Sequence, residues 1–295
     1  MKKIKLTCAH AIVKHLIAQK ILINGKKEPL FAGAFGIFGH GNVACLGQAL
    51  EENQDILPTW RGHHEQNMAL TGIAYARAKR RQQIFVATSS TGPGSTNMVT
   101  AAAVAMRNRI PILFLPGDTY ANRMPDPVLQ QVEHFNNPGI TQNDAFKPVT
   151  KYFDRLTRPE QILQTLPQAI QTMLDPADCG PACISMSQDV QGEVYDYPKE
   201  FFKEIVHNIR RPRPDDFQIK EAAEKIKNSK NPIIISGGGV FYSDAMDELG
   251  TFAVKHNIPV TQTVMGYSTM KKDHSHFLGP IGGLGGKAAN NFAKK

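Results

Sequence analysis

Apolar runs with strand character alternate along this chain with longer segments of helical period. That alternation predicts an α/β fold built on a doubly wound parallel sheet. Over 7–22, Ile12, Val13, Leu16, Ile17 and Leu22 share one helical face behind a capping Thr7, so a helix is expected there. Residues 31–38 form a short apolar run broken by glycines and ending in Gly39-His40-Gly41-Asn42, and a second helix is expected over 43–52. Residues 65–79 are alanine-rich, with Met68, Ile73 and Ala76 at helical spacing, and 84–87 has strand character. Residues 89–97 form a polar loop punctuated by Gly and Pro that opens a further helix through Met106, before a strand over 112–115. A helix over 161–174 and a strand over 182–186 follow. Open α/β sheets bind ligands in the loops after such strands, which makes these loops the first candidates for a site.

From about 195 to 216 the chain is rich in Pro, Arg, Asp and Phe, with Arg211-Pro212-Arg213-Pro214 at its end, the composition of an interdomain linker. A helix over 219–227, a strand over 232–236, a Gly-Gly-Gly turn, a helix over 244–256 and a strand over 259–263 then make one βαβ unit. The expected organisation is a first domain over 1–194, a linker over 195–216 and a second domain over 217–295. With only about 80 residues and two strands, that second domain reads as incomplete, since so short a segment buries little of its own surface.

Of 295 residues, 41% are hydrophobic and 20% charged, the balance of an ordinary globular protein. No run of 18 apolar residues occurs, and Thr7, Cys8, His10, Lys14 and His15 interrupt the N-terminal segment, so neither a membrane span nor a secretory signal is expected. Four cysteines, at 8, 45, 179 and 183, are too few and too scattered for a disulfide framework, and a reducing cytoplasm fits them best. The excess of 34 basic over 26 acidic side chains gives +8. Its short clusters (Lys2, Lys3, Lys5; Arg77, Lys79, Arg80, Arg81; Arg210, Arg211, Arg213) lack aromatic interleaving and read as solvated faces, not as a nucleic-acid surface.

Several signatures fail on inspection. His64-Glu65 would open a zinc-protease motif, but Met68 stands where the second His is required. Gly286-Lys287 resembles the end of a phosphate loop, yet Ile281 replaces its first Gly and Ala288 its Ser/Thr. Gly237-Gly238-Gly239 lies between strand and helix, but Tyr242 occupies the third Gly of a dinucleotide fingerprint, which leaves a tight turn. Cys179 and Cys183 lack a second ligand pair and read as buried small hydrophobes, and His274 and His276 as surface histidines.

Two stretches carry more. In 61–69 an acid, Glu65, opens a small-residue helix, which by itself is an ordinary first-turn carboxylate complementing the helix dipole. In 88–97, glycines in a strand-to-helix loop permit close backbone approach to a ligand, or simply a capped turn. In their order and spacing, Gly39-His40-Gly41-Asn42, Glu65, Gly92-Pro93-Gly94-Ser95-Thr96-Asn97 and Arg109-Ile110-Pro111-Ile112 resemble the pyrimidine-binding domain of thiamine-diphosphate enzymes of the acetolactate-synthase superfamily. The likeness continues through Asn143-Asp144-Ala145-Phe146 and into Ile258-Pro259-Val260, Asp273-His274 and Leu278-Gly279, which resemble that superfamily's Rossmann-like central domain. Within it, the segment 125–133, Phe146-Lys147-Pro148-Val149, Tyr152-Phe153-Asp154-Arg155, Arg158-Pro159-Glu160-Gln161 and Gln188-Asp189-Val190-Gln191 are similar to one branch. Its members hydrolyse a cyclic trihydroxy-1,2-dione in myo-inositol breakdown. Lys147 stands where acetolactate synthases commonly carry Gln.

The resemblance implies thiamine diphosphate with Mg²⁺ as cofactors, a small cyclic dione as substrate, and a homo-oligomer when full length. It implies that Glu65 hydrogen-bonds the cofactor's pyrimidine ring from a largely apolar pocket that raises its pKa, and that Pro93 and Asn97 line that pocket. His40 falls in the loop facing the reactive carbon, with two roles open: acid or base on the substrate, or structural member of the turn. His63 and His64 position the start of the helix. The family holds the diphosphate and metal through a third domain marked by Gly-Asp-Gly; here Gly117-Asp118 is followed by Thr119, within the first domain. The expectation is therefore the front part of a ring-opening hydrolase, inactive by itself. The alternatives are an acetolactate-synthase-like carboligase or decarboxylase, and a truncated chain without catalysis.

Overall fold

Thr7 caps the first helix as expected. It closes strand β1 (Lys3–Thr7), and its hydroxyl accepts from the His10 amide at 3.3 Å in the first turn of α1 (Cys8–Ile17). The helix over 7–22, however, is corrected: Gln19–Ile23 (β2) and Lys26–Pro29 (β3) form an antiparallel hairpin. Asn24 and Gly25, both at positive φ, make the two-residue turn, a geometry that prescribes a strand on either side and takes Leu22 off the helical face. This computed structural model describes residues 2–294 apart from 126 and 133, so Asp126 and Glu133 of the segment 125–133 lie outside the described residues.

The central sheet is parallel. It is built by β4 (Phe31–Gly36), β5 (Thr59–Arg61), β6 (Ile84–Thr88), β7 (Leu113–Phe114), β8 (Gly117–Asp118), β9 (Tyr152–Leu156) and β10 (Ala182–Ser187). β5, β4, β6 and β7 are successive neighbours; β7 and β8 both lie against β10, which also pairs β9. Every residue of β6 and β10 is buried, because helices cover both faces. Ile84 and Val86 alternate with Ala87 between two apolar clusters, as do Ala182, Ile184 and Met186 with Cys183. α1, α2 (Cys45–Glu51) and α6 (Ile162–Leu174) supply one cluster, whereas α3 (Glu65–Ala78) and α5 (Val99–Asn108), which follows the short α4 (Pro93–Thr96), supply the other. Small residues set the second approach: a Cβ on Gly72 of α3 would lie 3.0 Å from the Phe85 side chain.

Past β10, α7 (Gln188–Gly192) leads to β11 (Val194–Pro198), antiparallel to β1, and β12 (Ile205–His207), parallel to β2. Residues 195–207 thus belong to the first compact unit, which runs to Arg210, and only the segment beyond is left as linker. Aromatic side chains anchor this return: Tyr197 is fully buried and its hydroxyl donates to the Pro159 carbonyl at 3.0 Å.

The second unit, Arg211–Lys295, contains α8 (Asp216–Asn228), β13 (Ile234–Ser236), α9 (Gly238–Tyr242), α10 (Met246–His256), β14 (Val260–Gln262), β15 (Phe277–Pro280) and α11 (Lys287–Phe292). Its three strands are parallel in the order β13-β14-β15 over a buried core of Ala253, Val260 and Met270. β15 has no counterpart in the sequence reading. Among the described residues no helix is long and apolar enough to cross a membrane.

Candidate functional site

The chain leaves β4 to pair on one side with β5 and then on the other with β6. The carboxyl ends of these neighbours therefore form the crevice where parallel sheets bind ligands. Three loops meet there: 37–44 after β4, 62–64 after β5, and 89–92 after β6.

Backbone and buried amides hold the loops to each other. The Thr91 amide donates to the His40 carbonyl at 2.8 Å. Asn42, buried, donates to the Ile37 carbonyl and to Thr88 Oγ1, both at 3.1 Å, and accepts from the Gly39 amide at 3.0 Å. Gln191 donates to the Gly41 carbonyl. Gly41, at φ +91°, is a position few other residues adopt, and a Cβ there would press on Thr91 and Gly117. His40 is half-buried in this turn, with its carbonyl committed.

Glu65 is the first residue of α3. His64 caps the helix, its Nδ1 accepting from the Asn67 amide at 3.4 Å, which is the positioning role expected of it; His63 is exposed. Asn97 Nδ2 donates to Glu65 Oε2 at 2.8 Å and lies 3.5 Å from His64 Nε2. Glu65 Oε1 has no partner among the described residues and lies 3.4 Å from where a Cβ on Gly94 would stand. Glycine at 94 thus leaves room before that oxygen. Pro93, exposed, opens α4 immediately after Gly92, whose φ of +68° turns the chain and against which the Gln130 carbonyl packs.

The structure therefore brings Glu65, Asn97, Pro93 and His64 together at the crevice, with His40 across the neighbouring turn. One expectation is corrected: within this chain Glu65 is only half-buried, and its immediate partners are polar, so the chain alone does not build a largely apolar pocket around it.

Beneath the loops lies a polar network that sequence reasoning did not pick out. Asp118 is fully buried at the end of β8; it accepts from Arg155 Nε at 2.8 Å, Thr141 Oγ1 at 3.1 Å, Gln142 Nε2 at 3.2 Å and Ser185 Oγ. Gln142 also donates to Thr91 at 2.8 Å, which couples the network to the site loop. Arg155 continues to Asp144 at 3.0 Å, and Asp144 to Lys147 at 2.7 Å. Burial works to raise the Asp144 pKa, but Lys147, the Thr141 amide and Arg155 together hold it below the ordinary value. Lys147, which departs from acetolactate synthases, is thus the outer member of an ion-pair ladder. The motif 143–147 marked this segment, but nothing local revealed its long-range partners.

The residues fit an aminopyrimidine: a carboxyl with one oxygen held and the other open, over a glycine cradle. Among the described residues no group of three or more His, Cys, Asp or Glu stands together. Cys179 and Cys183 are buried, and Cys179 donates to the Arg109 carbonyl at 3.0 Å.

The family model for the thiamine pyrophosphate enzyme N-terminal TPP binding domain matches residues 27–137, and that for the thiamine pyrophosphate enzyme central domain matches 219–295. The chain is 50% identical over 294 residues to a protein of Clostridium tetani named 3D-(3,5/4)-trihydroxycyclohexane-1,2-dione hydrolase. It is 48% identical to proteins of the same name from Bacillus subtilis and Geobacillus thermodenitrificans. Each alignment covers 100% of this chain but 46% of the relative, so the chain spans less than half the length of the curated relatives it matches.

Proposed function

Because the chain belongs to the thiamine pyrophosphate (thiamine diphosphate) enzymes, we propose that it forms the N-terminal part of a hydrolase that opens a cyclic trihydroxycyclohexane-1,2-dione between its two carbonyls. Breakage of that bond places the hydroxyl of water on one carbonyl carbon, giving a carboxylic acid, and hydrogen on the other, giving an aldehyde. The product is an open-chain deoxy-sugar acid of inositol breakdown.

The observation that carries this reading is Glu65: its Oε2 held by Asn97 and its Oε1 open before Gly94, at the switch point of the sheet. When bound, thiamine diphosphate supplies a nucleophilic carbon and an electron sink for the acyl group. Glu65 Oε1 is the atom that would hold the pyrimidine ring. Asn97 fixes the carboxyl so that this oxygen, and not its neighbour, faces the ring. Pro93 and Gly94 wall the ring. His40, in the turn held by Thr91 and Asn42, would serve either as acid or base on the substrate or as a structural member of that turn. The ligands of Mg²⁺ and the diphosphate lie outside this chain.

In the complete enzyme carrying this chain, Glu65→Gln is expected to lower dione opening by at least about 100-fold with the fold intact by circular dichroism. Near-normal turnover overturns the role of Glu65. Pyruvate condensation outpacing dione cleavage in the unmutated enzyme overturns the substrate.

A further inference from the structure

The segment 88–96 carries six hydroxyls, and the fold uses five of them. Thr88 donates to the Leu115 carbonyl at 2.7 Å, Ser89 to the Ser90 carbonyl at 3.2 Å, Ser95 to the Gly92 carbonyl at 2.9 Å and Thr96 to the Pro93 carbonyl at 3.2 Å, while Thr91 accepts from Gln142 at 2.8 Å. Ser90 Oγ has no partner among the described residues, although Ser90 is only 6% exposed. An enclosed hydroxyl left unpaired is costly until a ligand or water completes it.

Glycines place that hydroxyl at the crevice. A Cβ on Gly94 would collide with Ser90 Oγ and stand 3.4 Å from Glu65 Oε1, so the missing side chain leaves one space that both oxygens border. A Cβ on Gly39, the residue before His40, would stand 3.7 Å from Ser90 Oγ and 3.6 Å from Gln130 Oε1, which marks a second such space. Three side-chain oxygens without protein partners among the described residues therefore stand in a row, Glu65 Oε1, Ser90 Oγ and Gln130 Oε1, running from the acid to the His40 turn. Gln130 is held there at a cost: its φ of +67° is one that few residues other than glycine adopt, and its carbonyl takes the place of a Cβ that Gly92 lacks.

The members of the row differ in what they offer. An ionised carboxylate only accepts, whereas a serine hydroxyl and a carboxamide each donate as well as accept. A polyol asks for that pairing, since each of its hydroxyls also does both. With Glu65 turned to the cofactor ring, Ser90 and Gln130 are the members of the row left to meet a substrate. Resting on the function proposed above, we infer that Ser90 and Gln130 are specificity-determining residues that hydrogen-bond ring hydroxyls of the trihydroxy dione at the space before Gly39. They separate it from a dione without hydroxyls, because such an analogue leaves both groups unpaired.

Steady-state kinetics of the complete enzyme carrying this chain test this, with cyclohexane-1,2-dione, which has the two carbonyls but no hydroxyl, as a competing ligand. Ser90→Ala should raise KM for the trihydroxy dione at least about tenfold. Gln130→Asn, which draws the amide back by one methylene and tolerates positive φ, should do the same. Inhibition by cyclohexane-1,2-dione should stay within about twofold of that in the unmutated enzyme. Ser90→Ala should not lower Tm, because the hydroxyl it removes bonds nothing in the fold. An unchanged KM, an equal loss for both diones, or a raised requirement for thiamine diphosphate, which would place Ser90 on the cofactor, would each overturn the inference and leave the proposed function standing. Failure of the unmutated enzyme to open the trihydroxy dione would overturn both.

Discussion

The two units of this chain use the same vocabulary, amphipathic helices beside parallel strands, to different effect. In the first unit every α-helix buries part of its surface, and two apolar clusters cover the sheet. In the second, α8 buries no residue: Phe217 is 72% exposed and Ile219 and Ile226 are exposed beside it. α8 has an N-cap, acidic first turn and basic last turn as good as those of any helix in the first unit. Local signals therefore specify where a helix forms, while its stability comes from the face it buries.

The largest expected contrast lies in the cores. Phe114, fully buried against Phe146, should cost about 3–5 kcal/mol as Phe114→Ala, whereas Phe217→Ala should change stability by no more than about 0.5 kcal/mol. Urea unfolding followed by hydrogen exchange, which assigns each transition to its unit, measures both. An effect of Phe217→Ala as large as that of Phe114→Ala would show that α8 is covered in solution.

Charge pairs sharpen the same comparison. Arg155→Ala leaves Asp118 buried without its cation and should cost about 3 kcal/mol, discounted somewhat because Arg155 is partly exposed. Lys225→Ala, which removes the exposed pair with Glu221 at 2.9 Å on α8, should cost about 0.5 kcal/mol at most. Because Gln142 joins Asp118 to Thr91, Arg155→Ala should also speed exchange of the Thr91 amide.

A buried histidine makes the stability of the first unit depend on pH. The folded pKa of His15 is lowered to about 4 from 6.5, so below about pH 6.5 the unfolded chain binds a proton that the folded one refuses. First-unit stability should therefore fall between about pH 6.5 and 4, by about 3 kcal/mol once both pKa values are passed, and His207 adds in the same direction. In the second unit His256 is exposed and His274 and His276 are half-buried, so none is enclosed as His15 is. His15→Gln should flatten the profile of the first unit; an unchanged slope would rule out His15 as its source.

These contrasts also mark what the sequence could reveal. The start of α3 at Glu65 and the loop before Asn97 were legible because polar caps, small residues and glycines act within a few positions of themselves. The hairpin at Asn24-Gly25 was equally local but was masked by an apolar stripe that continued the helical period through Leu22. Residues 195–207 misled differently: Pro, Asp and Phe suggest a linker, while Tyr195 and Tyr197 alternate as a strand against β1. The pairing of Asp118 with Arg155, 37 positions on, and of Gln19 with His207, 188 positions on, has no local signature, since a buried charge or amide is matched only by what folding brings to it. The acid of the candidate site was thus readable, and the scaffold that holds its loops was not.

The smallest expected effect isolates the local term by itself. Thr7 caps α1 and Asp215 caps α8 in the same way, Asp215 accepting from the Phe217 amide at 2.7 Å. Removal of either cap costs its helix about 1 kcal/mol. In the first unit α1 is bound into the core through Ile12, Val13 and Leu16, so Thr7→Ala should lower unfolding of the whole unit by that amount. In the second, α8 buries nothing, so Asp215→Ala should fray the helix and speed its amide exchange while leaving the unfolding of the second unit in place. If Asp215→Ala instead shifts that transition as far as Thr7→Ala shifts the first, α8 is coupled to a core, and the difference between the units is one of degree.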